Sequence, residues 1–512
     1  MDLSDWIERN AGFTPEATAI LFEGETLSYV AMAEQVGRAA GALASGLGVK
    51  AGDRIAFLGY NNPQMLILLF ACARIGAMLI PLNWRLAPPE HRRMIADSTP
   101  AVLFAEPDFI AHAAGIAEAS PGMRLVAMED APEGWQAYGD VMADADPVAP
   151  GAHGTGPDDA ILLCYTSGAT GTPKGVVLTQ EALFYNAINA IHMCNMTNAD
   201  RVLTTLPMFH VGGLNIQTMP AFHAGATVIV HAKFDPAATF EDLEREEITL
   251  CILVPAQIMA MMPMPQWPKL DLSHLRMLST GSTLVPHSLI RAFHERGVPV
   301  TQVYGSTETA PLATYGSVAM AERKVGSGGR VALHCELRII DDQGADVATG
   351  TSGEILVRGP SIMREYWQAP ELTAEALKDG WFHTGDMGHL DEDGFLFVDD
   401  RKKEMIISGA ENIYPAELEN LLADCAELEE AAVVGRADEK WGEVPIAVVV
   451  RKAGAEIDEA GVKDFFQGRI ARFKHPHQVI FIEALPRNAM GKVVKDELRE
   501  LVAPKKDDKG KT

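Results

Sequence analysis

Residues 161–179 decide the fold of this chain, and they read Ile-Leu-Leu-Cys-Tyr-Thr-Ser-Gly-Ala-Thr-Gly-Thr-Pro-Lys-Gly-Val-Val-Leu-Thr. The apolar residues at the two ends predict two strands, joined by a loop rich in glycine and hydroxyl side chains. Glycines at 168, 171 and 175 permit left-handed backbone angles and a close approach to a ligand. Successive N–H groups in such a loop form an anion-binding concavity, to which Lys174 adds a positive charge. The stretch therefore suits a polyphosphate.

Two other interpretations of this loop compete on the residues alone. A Walker A loop requires Gly, four residues and then Gly-Lys-Ser/Thr. Here Lys174 follows a proline and precedes Gly175, so a Walker A loop is excluded. An ordinary structural turn of glycine and threonine stays open.

The bulk composition bounds the class of protein. A length of 512 residues predicts two to four structural units with an ample core. An apolar content of 47% and a charged content of 22% are those of a soluble globular protein. The formal net charge of −26 argues against a nucleic-acid partner, whose binding site would be basic. An anionic substrate would need a locally positive site within this acidic protein.

The cysteines and the N-terminus indicate the compartment. The six cysteines stand singly, without a Cys-x-x-Cys pair, which predicts neither a disulfide framework nor a zinc site. The N-terminus lacks the basic and apolar segments of a signal peptide. The most apolar window, residues 65–82, contains Arg74, Gly76 and Pro81, so we interpret it as a core helix and strand and not as a transmembrane segment. We expect a cytoplasmic protein.

An alternation of strands and helices predicts an α/β fold. Apolar runs at Thr18–Phe22, Thr227–Val230 and Met277–Thr280 predict strands with helical segments between them, which indicates parallel sheets layered with helices. Residues 330–400 have short alternating strands and predict a β-rich subdomain. A compact α+β unit follows, in which residues 459–472 predict a helix.

The predicted boundaries divide the chain into four parts. Residues 1–400 form a large domain, 401–403 a charged connection, 404–503 a small C-terminal domain, and 504–512 a disordered tail. The family resemblance carried by the motifs below implies that 401–403 is a hinge and that the small domain is mobile.

The stretch at 161–179 resembles the phosphate loop of the adenylate-forming superfamily. This superfamily holds acyl-CoA synthetases, aryl-CoA ligases, luciferases and peptide-synthetase adenylation domains. Ala169 stands where that family more often has Ser or Thr, and Gln180 where many members have His. The resemblance implies that the loop binds the phosphates of ATP through Thr166, Ser167, Gly168, Ala169, Thr170, Gly171 and Lys174.

A second motif, Gln-Val-Tyr-Gly-Ser-Thr-Glu-Thr at 302–309, resembles the family's Tyr-Gly-x-Thr-Glu. By itself it is typical of a strand end followed by a capped, acidic first turn. The resemblance implies that Glu308 and Thr166 hold Mg²⁺, a hard cation that prefers oxygen ligands. It assigns AMP binding to Tyr304, which stacks on adenine, and to Gly305, Ser306, Thr307, Gly281 and Ser282. Residues 280–283 read Thr-Gly-Ser-Thr where the family often has Gly-Gly-Ala-Pro.

A third motif, Trp-Phe-His-Thr-Gly-Asp at 381–386, resembles the family's ribose-binding turn. Asp386 would accept hydrogen bonds from the two ribose hydroxyls, although Thr-Gly-Asp by itself is more typical of a surface turn. Arg401 would add a second contact, and Lys403 matches the family's hinge position.

The C-terminal part carries the candidate CoA and catalytic residues. The resemblance places Gly409 and Ala410 in the pantetheine channel, with Ala410 where relatives have Gly, and makes Arg436, Lys440 and Trp441 further CoA candidates. A solvated helix end with one core tryptophan would explain the last three equally well. Pro-Arg-Asn-Ala-Met-Gly-Lys at 486–492 matches the catalytic-lysine loop, in which Lys492 would offset repulsion between the substrate carboxylate and the α-phosphate.

His210 follows Pro-Met-Phe, and a histidine among apolar residues is usually a satisfied core group. In acyl-CoA synthetases this position is near the substrate carboxylate, whereas amino-acid adenylation domains have Asp, which counts against an amino-acid substrate. The acyl pocket implied by the resemblance consists of His210, Gly212, Gly213, Ala310 and Pro311.

The expected function is that of an ATP-dependent acyl-CoA ligase that uses ATP, Mg²⁺ and coenzyme A and forms an acyl-AMP intermediate. The small glycines and alanine admit an aliphatic chain or an aromatic ring, and we slightly favour an aliphatic acid. A carrier-protein thiol acceptor, a luciferase-like oxidase and an ATP sensor stay open as alternatives. A homodimer is expected only by analogy with the family.

Overall fold

The computed structural model describes residues 2–167, 173–281, 285, 287–341, 343–401, 406–409, 411–413, 415–486 and 493–503. The chain divides into two compact units. The first comprises Met1–Trp84, His91–Thr166 and Lys174–Lys402, and the second comprises Arg85–Glu90, Ser167–Pro173 and Lys403–Thr512. Both combine helices with mixed or parallel sheets, so the α/β class is confirmed.

One sheet of the first unit carries most of the candidate site. Strand Val300–Tyr304 pairs parallel with Met277–Thr280, and the register places Thr280 opposite Gln302. Since neighbouring parallel strands end at the same edge, the turns that follow them lie together. In spatial order the described strands are Arg330–Val331, Thr314–Tyr315, Val300–Tyr304, Met277–Thr280, Leu250–Ile252, Arg201–Thr204, Thr227–Val230, Thr18–Phe22 and Glu25–Ser28.

A second sheet of this unit contains the two strands on either side of the predicted phosphate loop. Its strand Met78–Leu82 is buried along its whole length, as expected for a parallel strand covered on both faces. In spatial order its described strands are Glu365–Tyr366, Pro173–Thr179, Ala160–Ser167, Met78–Leu82, Arg54–Leu58, Val102–Ala105, Arg124–Ala127 and Gln136–Ala137.

The apolar window at 65–82 forms a core helix and strand, as predicted. Helix Pro63–Ile75 is buried on all sides, and the Asn62 side chain caps it by accepting from the N–H of Gln64. Gly76, at φ 75°, ends the helix in the left-handed conformation. Among the described helices, none has the length and apolar character needed to cross a membrane.

A β-rich sheet completes the first unit, as the short alternating strands at 330–400 predict. Its described strands are Glu336–Ile340, Gly353–Arg358, Trp381–Leu390, Leu377–Lys378 and Leu396–Arg401. The described helices up to this point are Asp5–Phe13, Tyr29–Gly41, Pro63–Ile75, Pro88–Ser98, Ile110–Ala117, Tyr138–Ala143, Gln180–Cys194, Val211–Gly213, Met219–Ala224, Pro236–Arg245, Pro255–Met261, His287–His294 and Pro370–Ala376.

The second unit has its own sheet and core. Its described strands are Glu411–Ile413, Ile406–Ser408, Gly442–Arg451, Leu428–Asp438 and Gln478–Phe481, and its described helices are Pro415–Ala423, Glu459–Phe465 and Lys495–Val502. The helix predicted at 459–472 is too long. It ends at Phe465, and Gly468 follows at φ 68°, a conformation that interrupts a right-handed helix.

Candidate active site

Tyr304 and Asp386, predicted from separate motifs, meet in the first unit. The Tyr304 hydroxyl donates to Asp386 Oδ2 at 2.9 Å. The N–H of Asp386 donates in turn to Thr384 Oγ1 at 3.0 Å, and Gly385 takes the left-handed conformation at φ 71°. The predicted adenine and ribose residues are therefore neighbours, as one nucleotide would require.

Arg401 lies opposite Asp386 in the β-rich sheet. Strands Trp381–Leu390 and Leu396–Arg401 are antiparallel, and their register pairs Asp386 with Arg401. The backbone thus brings both predicted ribose contacts to one position.

Glu308, the predicted metal ligand, is held by a residue that the sequence motifs do not include. The hydroxyl of Tyr366 donates to Glu308 Oε1 at 2.8 Å. The ring of the same tyrosine faces Lys174, whose Nζ lies 5.0 Å from the ring centroid. One buried aromatic side chain therefore contacts the candidate metal ligand and the lysine of the phosphate loop.

The donor set at Glu308 suits a magnesium ion that is shared with a substrate. Among the described residues, no group of three or more His, Cys, Asp or Glu is arranged to hold a metal. Mg²⁺ in proteins commonly takes one or two carboxylates, with substrate phosphates and water completing its coordination. A single carboxylate, Glu308, that shares Tyr366 with the predicted phosphate-binding residue Lys174 fits that chemistry.

Gly175 serves close packing and not a left-handed turn, contrary to the prediction. It is absent from the described glycines with positive φ. A Cβ atom there would lie 2.7 Å from Leu163 Cδ1 and 3.0 Å from Trp367 Cβ. The strand after the loop therefore needs glycine because Leu163 and Trp367 occupy the space of a side chain.

Two further glycines pack tightly at the predicted adenine turn. A Cβ at Gly281 would lie 2.8 Å from Val303 Cγ2, and one at Gly305 would lie 1.7 Å from the carbonyl oxygen of Pro311. Thr307 lies in a short 3-10 turn, Thr307–Thr309, which follows Ser306. The close approach of these backbones requires glycine at both positions.

His210 stands at the start of a helical segment that lines the predicted acyl pocket. It is the N-cap of Val211–Gly213, and its ring lies 4.6 Å from that of Phe209. A Cβ at Gly212 would meet no atom within 4 Å, whereas one at Gly213 would lie 2.3 Å from the Pro207 carbonyl oxygen. Gly212 thus borders open space, and Gly213 allows the segment to pack on the preceding turn.

Ala310 and Pro311 are the other two residues of the predicted pocket. Ala310 is fully buried and adopts φ 70°, and the peptide bond between the two residues is cis. The N–H of Leu312 donates to Asn186 Oδ1 at 3.1 Å. The side-chain amide of Asn186 donates to the backbone carbonyl oxygen of Asn215 at 2.7 Å. Asn186 therefore links residues 310–312 to the segment after His210.

Among the described residues, several of the buried polar atoms without hydrogen-bond partners lie in the same segment and on the strand Met277–Thr280, and others lie elsewhere in the fold. Asn215 is 1% exposed, and neither its Nδ2 nor its Oδ1 has a hydrogen-bond partner among the described residues. Gln217 Oε1 and Thr280 Oγ1 share this property. Residues Leu214–Thr218 are π-helical, a local form that is frequent at functional sites. Unpaired buried polar groups are rare in folded proteins, so these atoms favour a ligand with polar groups.

The second unit brings three of the predicted CoA residues together. Gly409 has φ 58°, and a Cβ there would lie 2.7 Å from Trp441 Cε3. Its N–H donates to the Trp441 carbonyl oxygen at 2.8 Å, and Lys440 Nζ lies 4.7 Å from the Trp441 ring centroid. Trp441 is 41% exposed, so it is not the core residue of the alternative interpretation. Arg436 is bonded to Gln478 Oε1 at 2.5 Å.

Several predicted residues lie outside the described part of the chain. They are Gly168, Ala169, Thr170, Gly171, Ser282, Lys403, Ala410 and Lys492, and the side chains of Ser167 and Arg401 are likewise not described.

Sequence analysis missed Tyr366 and Asn215. Tyr366 precedes a tryptophan in a run without helical or strand periodicity, and its two-residue strand exists only through pairing with Val176 and Val177. Asn215 carried one usable signal, since it is a polar residue in a helical segment of small and apolar residues.

Known proteins match the chain along nearly its whole length. The profile of the AMP-binding enzyme family matches residues 7–367, and that of the AMP-binding enzyme C-terminal domain matches residues 417–492. An indoleacetate–CoA ligase of Aromatoleum aromaticum is 54% identical over 505 residues, which cover 99% of each chain. A feruloyl-CoA synthase of Amycolatopsis is 41% identical and covers 97% of this chain and 98% of the relative.

A solved structure agrees with these relatives. The o-succinylbenzoate CoA synthetase of Bacillus subtilis, bound with a product analogue, has a TM-score of 0.86 at 29% identity over 98% of this chain and 99% of its own. The resemblance inferred from the motifs is confirmed. The chain belongs to the AMP-binding enzyme family and, within it, to the acid–thiol ligases that form CoA thioesters.

Proposed function

We propose that this enzyme is an ATP-dependent ligase that joins an arylacetic acid to coenzyme A. The observation that carries the proposal is the 54% identity to an indoleacetate–CoA ligase over 99% of both chains. The unpaired amide of Asn215 supports it, because a heteroaromatic acid such as indoleacetate has an N–H that a buried carbonyl oxygen can accept. The aliphatic acid favoured in the sequence analysis has no specific support from the relatives and stays a prediction.

The first half-reaction forms acyl-AMP. A carboxylate oxygen of the acid attacks the α-phosphorus of ATP, a bond forms between them, and the bond to the bridging oxygen breaks as pyrophosphate leaves. Lys492 supplies the cation between the two anionic reactants, and His210 lies near the carboxylate. Tyr304 and Asp386 hold the nucleoside.

The phosphates are held in the same half-reaction by Lys174 and by the remainder of the loop from Thr166 to Gly171. Glu308 and Thr166 would hold a magnesium ion, which would supply positive charge to offset that of the phosphates.

The second half-reaction transfers the acyl group to sulfur. The thiol of CoA gives its proton to solvent or to AMP and attacks the acyl carbonyl, and AMP leaves with the electrons of the mixed-anhydride bond. We assign residues 1–400 to the adenylation domain, 404–503 to a lid that turns about Lys403, and 504–512 to a tail. The residues that we assign to CoA are Gly409, Ala410, Arg436, Lys440 and Trp441.

Carboxylate-dependent AMP release tests this function. The panel contains indole-3-acetate, phenylacetate, ferulate, hexanoate, laurate and glycine, each with and without CoA. We expect the highest kcat/KM with indole-3-acetate or phenylacetate and at least a tenfold lower value for the aliphatic acids. A preference for laurate would overturn the substrate class, and adenylation that CoA does not accelerate would point to a carrier-protein thiol.

Lys492→Ala tests the assignment of the catalytic cation. We expect acyl-AMP formation to fall about 10²–10³-fold, the loss typical of one preorganised donor to transition-state charge. Thioester formation from supplied acyl-AMP should keep most of its rate, because that step needs no cation at the α-phosphate. Equal losses in both half-reactions would contradict the assigned role.

A further inference from the structure

Tyr366 lies where two functional groups of the first unit come together. Its side chain is 7% exposed. The hydroxyl donates to Glu308 Oε1 at 2.8 Å, and the ring centroid lies 5.0 Å from Lys174 Nζ. A hydrogen bond to a carboxylate is a strong, directional contact, and an ammonium near an aromatic ring is attracted by its quadrupole.

The backbone around Tyr366 fixes the side chain relative to both groups. The N–H of Met363 donates to the carbonyl oxygen of Glu308 at 2.8 Å. Tyr366 then pairs with Val176 in an antiparallel ladder, and the N–H of Trp367 donates to the Gly175 carbonyl oxygen at 2.7 Å. Residues 363–367 therefore bond to the turn that bears Glu308 and to the strand that bears Lys174.

We infer that Tyr366 is a positioning residue for the adenylation step, an inference that rests on the function proposed above. It orients the Glu308 carboxylate toward the metal–phosphate complex and keeps Lys174 beside the phosphates. The hydroxyl acts on the carboxylate, and the ring acts on the lysine. The two contacts are separable, because phenylalanine keeps the ring and removes only the hydroxyl.

The first test measures metal binding without turnover. Mn²⁺ replaces Mg²⁺, and the loss of the free-ion EPR signal is measured with ATP alone and with ATP and enzyme. Because ATP alone also binds Mn²⁺, the difference between the two titrations reports the ternary complex of enzyme, Mn²⁺ and ATP. We expect Tyr366→Phe to weaken Mn²⁺ binding in the presence of ATP about tenfold, the loss typical of one hydrogen bond to a charged group. Tyr29→Phe is the matched control, since it removes another buried tyrosine hydroxyl bond, to the Ala226 carbonyl oxygen at 2.7 Å. Equal affinities in Tyr366→Phe and wild type would overturn the inference.

The second test separates positioning from a structural defect. In ATP–pyrophosphate exchange, Tyr366→Phe should require about ten times more Mg²⁺ for half-maximal rate, whereas Tyr366→Leu should also raise the KM for ATP at saturating Mg²⁺. Thioester formation from supplied acyl-AMP should be unchanged in both variants. A comparable loss in that second half-reaction would show a structural role and contradict the inference.

The two proposals fail in distinguishable ways. If wild-type enzyme adenylates no acid of the panel, the proposed function is wrong, and the EPR comparison still decides the role of Tyr366 toward metal and ATP. If wild type adenylates an acid and Tyr366→Phe keeps wild-type dependence on Mg²⁺, only the inference about Tyr366 is wrong.

Discussion

Two asparagines of the first unit, Asn186 and Asn215, are equally buried and differently bonded. Each is 1% exposed. The side-chain amide nitrogen of Asn186 donates to the backbone carbonyl oxygen of Asn215, and Asn186 Oδ1 accepts from the N–H of Leu312. The side-chain amide of Asn215 has no partner among the described residues. A buried polar group without a partner costs about 1–3 kcal/mol.

This difference distinguishes a buried polar side chain that the fold itself satisfies from one that we propose a ligand satisfies. Asn186 links residues 310–312 to the segment after His210, and the fold itself satisfies the amide. Asn215 lies in that segment, where no described residue offsets the free energy that its side-chain amide loses on burial. A substrate that formed the missing hydrogen bond would recover this free energy only when it is bound, and this is the basis of the substrate selection that we propose for Asn215.

The second unit contains a buried cluster of charged side chains that hydrogen-bond to one another. Lys474 is 4% exposed, and its Nζ lies 2.9 Å from Glu90 Oε1 and 2.9 Å from both carboxylate oxygens of Glu417. Burial raises the pKa of the Glu417 carboxyl, while the Lys474 charge opposes that rise. We therefore expect these three buried charged groups to contribute to the stability of the fold and not to ligand binding.

Lys474→Met should therefore have the largest effect on stability. Removing the cation leaves two buried carboxylates without their partner, and such a change typically costs 3–5 kcal/mol. Hydrogen exchange of the amides in Gly442–Arg451 would measure the free energy of opening of the second unit. Lys463→Met is the control, because its pair with Glu459 is about 35% and 45% exposed and should contribute at most about 1 kcal/mol. Similar losses in the two variants would remove the distinction between buried and exposed pairs.

Asn186→Ala should have an intermediate effect on stability. It leaves the N–H of Leu312 without its partner, at about 1–3 kcal/mol, and removes one hydrogen bond to the backbone carbonyl oxygen of Asn215, at about 1 kcal/mol. Urea unfolding followed by tryptophan fluorescence would measure the change. A loss below about 0.5 kcal/mol would mean that the two bonds do not tie these segments together.

Asn215→Leu should leave stability almost unchanged. Leucine has a similar volume and removes two unpaired polar atoms, so the free energy of unfolding without ligand should not fall by more than about 1 kcal/mol. The same urea experiment applies. A loss in the free energy of unfolding as large as that of Asn186→Ala would show that the Asn215 side-chain amide has a partner within the fold. The proposed difference between the two asparagines would then be wrong.

The sequence predicted the regular elements best where local pattern decides them. Strands Thr18–Phe22, Thr227–Val230 and Met277–Thr280 have the predicted bounds, because each is a short, mostly apolar run, and each pairs with a parallel neighbour. The helix at 459–472 failed because one left-handed glycine outweighed the pattern around it. The two-residue strand at Tyr366 has no local pattern, since only its distant partner Val176 creates it.

The candidate site shows the same difference between features that local sequence determines and features that distant contacts determine. Motif residues such as Tyr304 and Asp386 could be proposed from sequence because each motif is a short local string. Their mutual hydrogen bond could not, because the two residues are 82 positions apart. Whether a buried asparagine is paired depends on groups such as Leu312, which is 126 positions from Asn186. Pairing across such distances is a property of the fold, so the contrast between Asn186 and Asn215 appears only in the structure.

The most direct test compares two acids of similar size in two enzymes. Indole-3-acetate carries an N–H, and naphthalene-1-acetate does not. The account predicts that wild-type enzyme prefers indole-3-acetate about tenfold in kcat/KM, and that Asn215→Leu abolishes this preference while turning over naphthalene-1-acetate at the wild-type rate. An unchanged preference in Asn215→Leu would contradict the claim that the unpaired amide selects the substrate.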